Sequence, residues 1–130
     1  MKKTISILGS TGSIGLNTFK IINKKKNNFQ INLLSANKNF KLISNQIKIY
    51  KPKFFVINDK IIFKRISERF KKSNTKIFNS FENINIKKIS HITISAIPGV
   101  AGLKPTILMT KKSNKILIAN KESIICGWNL

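Results

Sequence analysis

Short apolar runs alternate along this chain with longer segments in which apolar positions recur every three or four residues. "TISIL" (Thr4–Leu8) is β-branched and apolar on both faces, and it predicts a first strand. A helix is expected from Ser13 to about Lys24, with Ile14, Thr18, Ile21 and Ile22 on its apolar face. Lys24, Lys25 and Lys26 stand at the end where cations suit the helix dipole. "QINLLSA" predicts strand two. Phe40, Ile43, Ile47 and Tyr50 mark a second helix, which ends before Pro52. "FFVIN" (Phe54–Asn58) predicts strand three, and Ile62, Phe63, Ile66 and Phe70 line a third helical face. "TKIF" suggests a short strand and "SFENI" a single turn capped by Ser80. "HITISA" (His91–Ala96) reads as another buried strand. After the "IPGVAG" loop, Pro105 fits the first turn of a helix running to about Lys112, and "KILIA" (Lys115–Ala119) is the last strand.

Continuous apolar strands separated by helices indicate an α/β fold, a parallel sheet covered on both faces. No repeat, Pro/Ser-rich linker or low-complexity tail divides the chain, so residues 1–130 are expected to form one domain. With about 42% apolar residues, a chain of this length can bury a core of its own. No apolar run approaches the ~18–20 residues of a membrane span, and the stretch after Lys2 and Lys3 is too short for a signal peptide. A cytoplasmic protein with no membrane partner is expected. The single cysteine, Cys126, excludes an internal disulfide and reads as a buried, inert thiol.

The net charge of +21 raises the question of nucleic acid. Of the 25 basic residues, only Arg65 and Arg69 are arginines, the residue that specific readers favour for its bidentate fork. Lys, Asn and Ile make up about half the chain, all three have AT-rich codons, and the lysines are scattered from Lys2 to Lys121. Codon bias explains this better than a binding face, so no specific nucleic-acid partner is expected. Duplex DNA should then bind weakly, without sequence preference and with a steep loss on adding salt. A gel-shift series at rising salt checks this; sub-micromolar, salt-resistant, sequence-dependent binding would refute it.

"ILGSTGSIG" puts Gly9, Gly12 and Gly15 at the junction of the first strand and first helix. There a phosphate meets free backbone N–H groups and the positive end of a helix dipole. Gly9 would permit a tight turn, Gly12 the approach of a pyrophosphate, and Gly15 close packing of helix on strand. Ser10, Thr11 and Ser13 are expected to add hydroxyl donors around the same anion. The GxxGxxG spacing is a variant of the usual dinucleotide fingerprint, and a tight turn without ligand is the competing reading. An NAD site presents Asp or Glu about 20 residues beyond the glycines. Here "SANKN" (35–39) has no acid, whereas Lys38 would attract a 2′-phosphate. NADP is favoured, although Lys38 is also one lysine among many.

Other candidates carry less. His91 opens an apolar strand and reads as structural. Asp59, Glu68 and Glu82 look like surface or capping acids, and Phe54, Phe55, Phe63 and Phe70 fall at core spacing. "ANKES" (Ala119–Ser123) clusters polar groups past the carboxyl end of a buried strand, where open α/β sheets bind ligands. It reads equally well as a helix start with Asn120 as cap.

Together, "ILGSTGSIG", "SANKN", "SAIPGVAGLKPT" and "LIANKES" resemble the amino-terminal NADPH-binding domain of the 1-deoxy-D-xylulose 5-phosphate reductoisomerase family, over the whole chain and in order. The resemblance implies a Rossmann-like doubly wound, mostly parallel sheet with helices on both faces. It also implies an enzyme that uses NADPH and a divalent metal (Mg or Mn). That enzyme isomerises and reduces its phosphosugar to 2-C-methyl-D-erythritol 4-phosphate, an early step of non-mevalonate isoprenoid synthesis, and works as a homodimer. By the same resemblance, Thr11, Gly12, Ser13 and Ile14 would line the pyrophosphate, and Lys38 and Asn39 would face the 2′-phosphate. Asn120 and Glu122 would lie by the nicotinamide half, and Lys121 would contact the phosphosugar. Asn37 stands where the family commonly has Gly. Asn tolerates positive φ better than most residues, so the turn can survive this change at the cofactor site.

The family's metal ligands are acids in a catalytic domain that follows ANKES, whereas the four acids here (Asp59, Glu68, Glu82, Glu122) are scattered. The resemblance therefore implies the NADPH-binding domain alone, a truncated form with no metal ligands, no catalytic residues and no turnover in isolation. Ile124, Ile125, Trp128 and Leu130 form an apolar stripe expected to promote self-association. A non-catalytic nucleotide-binding module and a fragment of another NADP-dependent dehydrogenase are the alternative readings.

Overall fold

The computed structural model describes residues 2–119. Its elements are β1 (Lys3–Leu8), α1 (Ser13–Lys24), β2 (Phe29–Ala36), α2 (Phe40–Tyr50), β3 (Phe54–Ile57), α3 (Lys60–Arg69), β4 (Lys76–Phe78), β5 (Ser90–Ser95), α4 (Leu103–Thr110) and β6 (Ser113–Ile118). One-turn 3-10 segments lie at Phe81–Asn83 and Val100–Gly102. Every element expected between Thr4 and Ala119 is present, within a few residues at its ends. The six strands form one sheet in the order β4-β3-β2-β1-β5-β6, and all five pairings are parallel. Parallel neighbours need crossover connections, which is why a helix or a long loop separates each strand from the next.

The alternation of side chains along the strands divides the core in two. On one face, Ile5, Ile7, Phe55 and Ile57 pack against Phe19 and Ile22 of α1, Ile43 and Ile47 of α2, and Ile62 and Ile66 of α3. On the other, Leu8, Leu33, Phe54 and Val56 meet Phe81, Ile84, Ile89 and Met109 of α4. A register shift opposite Ile5/Ser6 breaks the alternation in β2, so Ile31 and Leu34 reach the same face. The side-chain amide of Asn32, at that shift, donates to the Ile89 carbonyl. β4 and β6 are the edge strands, and Leu117 and Ile118 of β6 are exposed among the described residues.

The helix ends follow their sequences. Asn39 caps α2 by accepting from the Leu42 amide at 3.1 Å, and Asp59 caps α3 through the Ile62 amide at 2.9 Å. Ser80 accepts from the Glu82 amide, as its turn requires. One expected face is corrected. The buried positions of α1 are Gly15, Phe19 and Ile22, while Ile14 and Ile21 are exposed. The helix turns Gly15 to the sheet because only a residue without a side chain fits against the β1 turn. A hydropathy pattern scores glycine as neutral and so misplaces the face by one residue.

A candidate dinucleotide site at the carboxyl edge of the sheet

β1 pairs with β2 on one side and β5 on the other, so the chain reverses its direction of travel across the sheet at β1/β5. Open α/β sheets bind ligands at the strand carboxyl ends beside such a reversal. A cleft of about 370 Å³ lies there, between the glycine turn after β1 and the loop after β5. Its lining includes Gly9, Thr11, Gly12, Asn37, Asn58 and Pro98. A larger opening of about 670 Å³ sits at the opposite, amino-terminal edge, around Lys51, Lys53 and Thr75. It is lined by lysine side chains, Lys48, Lys51, Lys53 and Lys72, but has neither a glycine turn nor the start of a helix.

The glycine turn is built from three different constraints. Gly9 has φ +82°, and a Cβ there would lie 2.8 Å from the Ala96 carbonyl oxygen. Gly15 presses its α carbon against the turn: a Cβ would come 2.4 Å from the Gly9 oxygen and 2.8 Å from the Ser10 α carbon. Gly12 differs from both. A Cβ there would meet only the Gly9 oxygen, at an ordinary 3.6 Å. The fold itself therefore does not demand glycine at position 12, and the open side is the cleft.

Backbone donors separate in the same way. The amides of Gly9 and Ser10 donate to the Ser35 carbonyl at 3.0 and 2.8 Å, and Gly9 also donates to the Ser35 hydroxyl. Gly12 donates to Gly9 at 3.3 Å. The amides of Thr11, Ser13 and Ile14 have no acceptor among the described residues. The last two open α1, where a helix leaves its first N–H groups unsatisfied. α2 and α3 have side-chain caps, but the Gly12 cap of α1 makes no side-chain bond. A turn whose outward donors are unmet at the positive end of a helix suits a diphosphate.

One expected donor is corrected. Ser10 is fully buried, and its hydroxyl points inward to Gln46 Oε1 at 2.7 Å, so it does not face an anion in the cleft. Thr11 and Ser13 stay on the open side, Thr11 lining the cleft and Ser13 exposed. At the end of β2, Asn37 lines the cleft, and Lys38 and Asn39 are exposed beside it. The Asn39 side-chain oxygen is occupied as the α2 cap. Asn120, Lys121 and Glu122 lie outside the described residues, as do Cys126 and the stripe from Ile124 to Leu130.

Asn58 at the end of β3 also lines the cleft; sequence reasoning did not single it out, and its only signal is that it follows the carboxyl end of a strand. Ala96, Ile97, Pro98 and Ala101, after β5, belong to the "SAIPGVAGLKPT" segment that carries the family resemblance, and they line the same cleft. His91 is far from this edge. Its Nδ1 accepts from the Thr4 amide at 3.1 Å and bonds the Thr4 hydroxyl at 2.9 Å, tying together the starts of β1 and β5. Glu68 pairs with Lys71 and Glu82 with Lys104, both on the surface. No three His, Cys, Asp or Glu side chains converge among the described residues. These residues do not fit a metal site.

Comparison with known proteins agrees with this arrangement. The family model of 1-deoxy-D-xylulose 5-phosphate reductoisomerase matches residues 5–127. The reductoisomerase of Pelagibacter ubique is 44% identical over 98% of this chain, and that of Wolbachia pipientis wMel 36% identical over 98%. The chain spans about a third of the length of these curated relatives. Among solved structures, the Zymomonas mobilis reductoisomerase in complex with NADPH superposes with a TM-score of 0.82. It is 30% identical and covers 96% of this chain and 34% of its own. A DOX-P reductoisomerase in complex with magnesium superposes at 0.85 with 26% identity, over 96% of this chain and 32% of its own. The glycine turn, the sheet order and these matches lead to one conclusion: the chain belongs to the 1-deoxy-D-xylulose 5-phosphate reductoisomerase family.

Proposed function

We propose that this chain binds NADPH at the carboxyl edge of its sheet. It would do so as the cofactor-binding part of an enzyme that isomerises and reduces 1-deoxy-D-xylulose 5-phosphate to 2-C-methyl-D-erythritol 4-phosphate. The observation that carries the reading is the start of α1, with no side-chain cap and with the Thr11, Ser13 and Ile14 amides lacking acceptors among the described residues. These groups, with Gly12, receive the pyrophosphate. Asn37, Lys38 and Asn39 take the adenosine end, where Lys38 supplies positive charge for a 2′-phosphate and no acid opposes it. Ala96, Ile97, Pro98 and Ala101 of the loop after β5 wall the cleft on that side.

When bound, NADPH supplies the hydride for the reduction. On this proposal Asn120 and Glu122 stand by the nicotinamide half and Lys121 contacts the phosphosugar. A divalent metal (Mg or Mn) in the full enzyme, held by ligands other than the described residues, homodimeric assembly of that enzyme and a cytoplasmic location belong to the same proposal. A relative solved with magnesium and the family resemblance support the metal. No helix among the described residues is long and apolar enough to cross a membrane.

A specific nucleic-acid role is disfavoured by the positions of the two arginines. The Arg65 and Arg69 guanidinium groups lie over the Phe40 ring, at 4.2 and 5.5 Å from its centroid, and so pack α3 against α2. The cofactor proposal is tested by fluorescence titration with NADPH and with NADH. Saturable binding that favours NADPH by about tenfold is the expected result. No saturable binding of either cofactor would refute it.

A further inference from the structure

Gln46 lies on α2 with only 4% of its surface exposed, and both polar atoms of its amide bond one residue of the glycine turn, 36 positions away. Its Oε1 accepts from the Ser10 hydroxyl at 2.7 Å, and its Nε2 donates to the Ser10 carbonyl at 3.0 Å. The Ser10 amide donates to the Ser35 carbonyl at 2.8 Å. All three polar groups of Ser10 are thus held by the protein, and the residue is fully buried. A hydrophobic side chain at position 46 would leave the Ser10 hydroxyl and carbonyl buried without these partners.

The consequence falls on the next residue. In a trans peptide the C=O and the following N–H point in opposite directions. With the Ser10 carbonyl drawn toward α2, the Thr11 amide turns away from α2, on the side where Thr11 and Gly12 line the cleft. We propose that Gln46 is a positioning residue for the cofactor: by fixing the plane of the Ser10–Thr11 peptide it aims the Thr11 N–H at the pyrophosphate. The inference rests on the reading that the glycine turn receives NADPH. It adds that the turn's geometry is set by a side chain outside the motif. It also links the pyrophosphate turn to α2, the helix that begins beside Lys38 and Asn39.

The test uses the full-length protein and two ligands that share the adenosine 2′-phosphate end, NADPH and adenosine 2′-monophosphate. Only NADPH has the pyrophosphate. In Gln46→Met the affinity for NADPH is expected to fall by about tenfold, while that for adenosine 2′-monophosphate stays within about twofold. Gln46→Glu keeps the length and the acceptor but loses the donor to the carbonyl. Its ionised carboxylate would face the Ser10 carbonyl in a buried site, a repulsive contact, so it carries the same expectation near pH 8. Ser10→Ala keeps the carbonyl bond, so its NADPH affinity is expected to stay within about threefold of the parent.

Unchanged NADPH affinity in both Gln46 variants would overturn the proposal. So would a parallel loss for both ligands, which would mean that Gln46 merely supports the fold. A loss in Ser10→Ala as large as in Gln46→Met would overturn it too, because the carbonyl bond would then not be the one that matters. A parent protein that binds neither ligand would instead bring down the underlying cofactor reading, and this proposal with it.

Discussion

Replacing Gly15 by Ala is expected to unfold much of this protein, whereas replacing Gly12 by Ala should leave it folded but poor at binding NADPH. The two glycines sit three residues apart in one turn, and their surroundings decide the difference. At position 15 the added carbon would lie 2.4 Å from the Gly9 oxygen and within 3 Å of the Ser10 backbone. Those are main-chain atoms, so no side chain can swing aside, and α1 must move off the sheet. Overpacking typically costs ~1–3 kcal/mol, and a backbone collision belongs at or above the top of that range. Against a total stability of ~5–15 kcal/mol this is severe. A fall in the thermal midpoint on the order of 10 °C, or failure to fold, is expected by circular dichroism.

Position 12 has φ −80° and ψ 174°, which any residue adopts, and room for the carbon. Losing glycine at a helix cap costs from a few tenths to about 1 kcal/mol. The methyl group would nevertheless stand where the pyrophosphate approaches, so NADPH affinity should fall by at least about tenfold, read by fluorescence titration. Equal stability losses in the two variants would refute the distinct roles given to these glycines. Unchanged cofactor affinity in Gly12→Ala would refute the site.

The second large effect is a change of cofactor preference in Lys38→Glu. β2 ends without a carboxylate, and Lys38 is exposed beside the cleft-lining Asn37. A 2′-phosphate meets a positive charge in the parent and a negative one in the variant. The parent is expected to favour NADPH over NADH by about tenfold at low ionic strength, and the variant to lose or reverse that preference. Because Lys38 is solvated, salt screens the effect, and the ratio in the parent should shrink as salt rises. Paired titrations at two salt concentrations read all of this. An unchanged ratio in the variant would show that one of the many other lysines, or none, recognises the phosphate.

Much of this architecture was legible in the one-dimensional pattern. Strand and helix periodicities are local, so the alternation from Thr4 to Ala119 predicted every element and the parallel, doubly covered sheet. The glycine turn was legible too, because a left-handed φ at Gly9 and a tight helix–strand contact at Gly15 leave only one residue type that fits. Asp59 and Ser80 were legible as capping residues because caps act within three residues of themselves, whereas Asn39 drew notice only for the 2′-phosphate and serves as the α2 cap.

What the tertiary structure alone decided depends on partners distant in sequence. Ile14 looked like a core position of α1, but the close approach of Gly15 to the turn rotates that face by one residue. The register shift in β2 arises from pairing with β1, and no alternation within β2 records it. Ser10 read as an anion donor until Gln46, 36 residues away, was found to hold its hydroxyl inside. Gln46 itself resembles any polar residue on a helix between Asn45 and Ile47. Hydropathy patterns report how each residue prefers to meet water. They carry no record of which buried polar groups satisfy each other, and a buried amide is stable only when folding brings its partner to it.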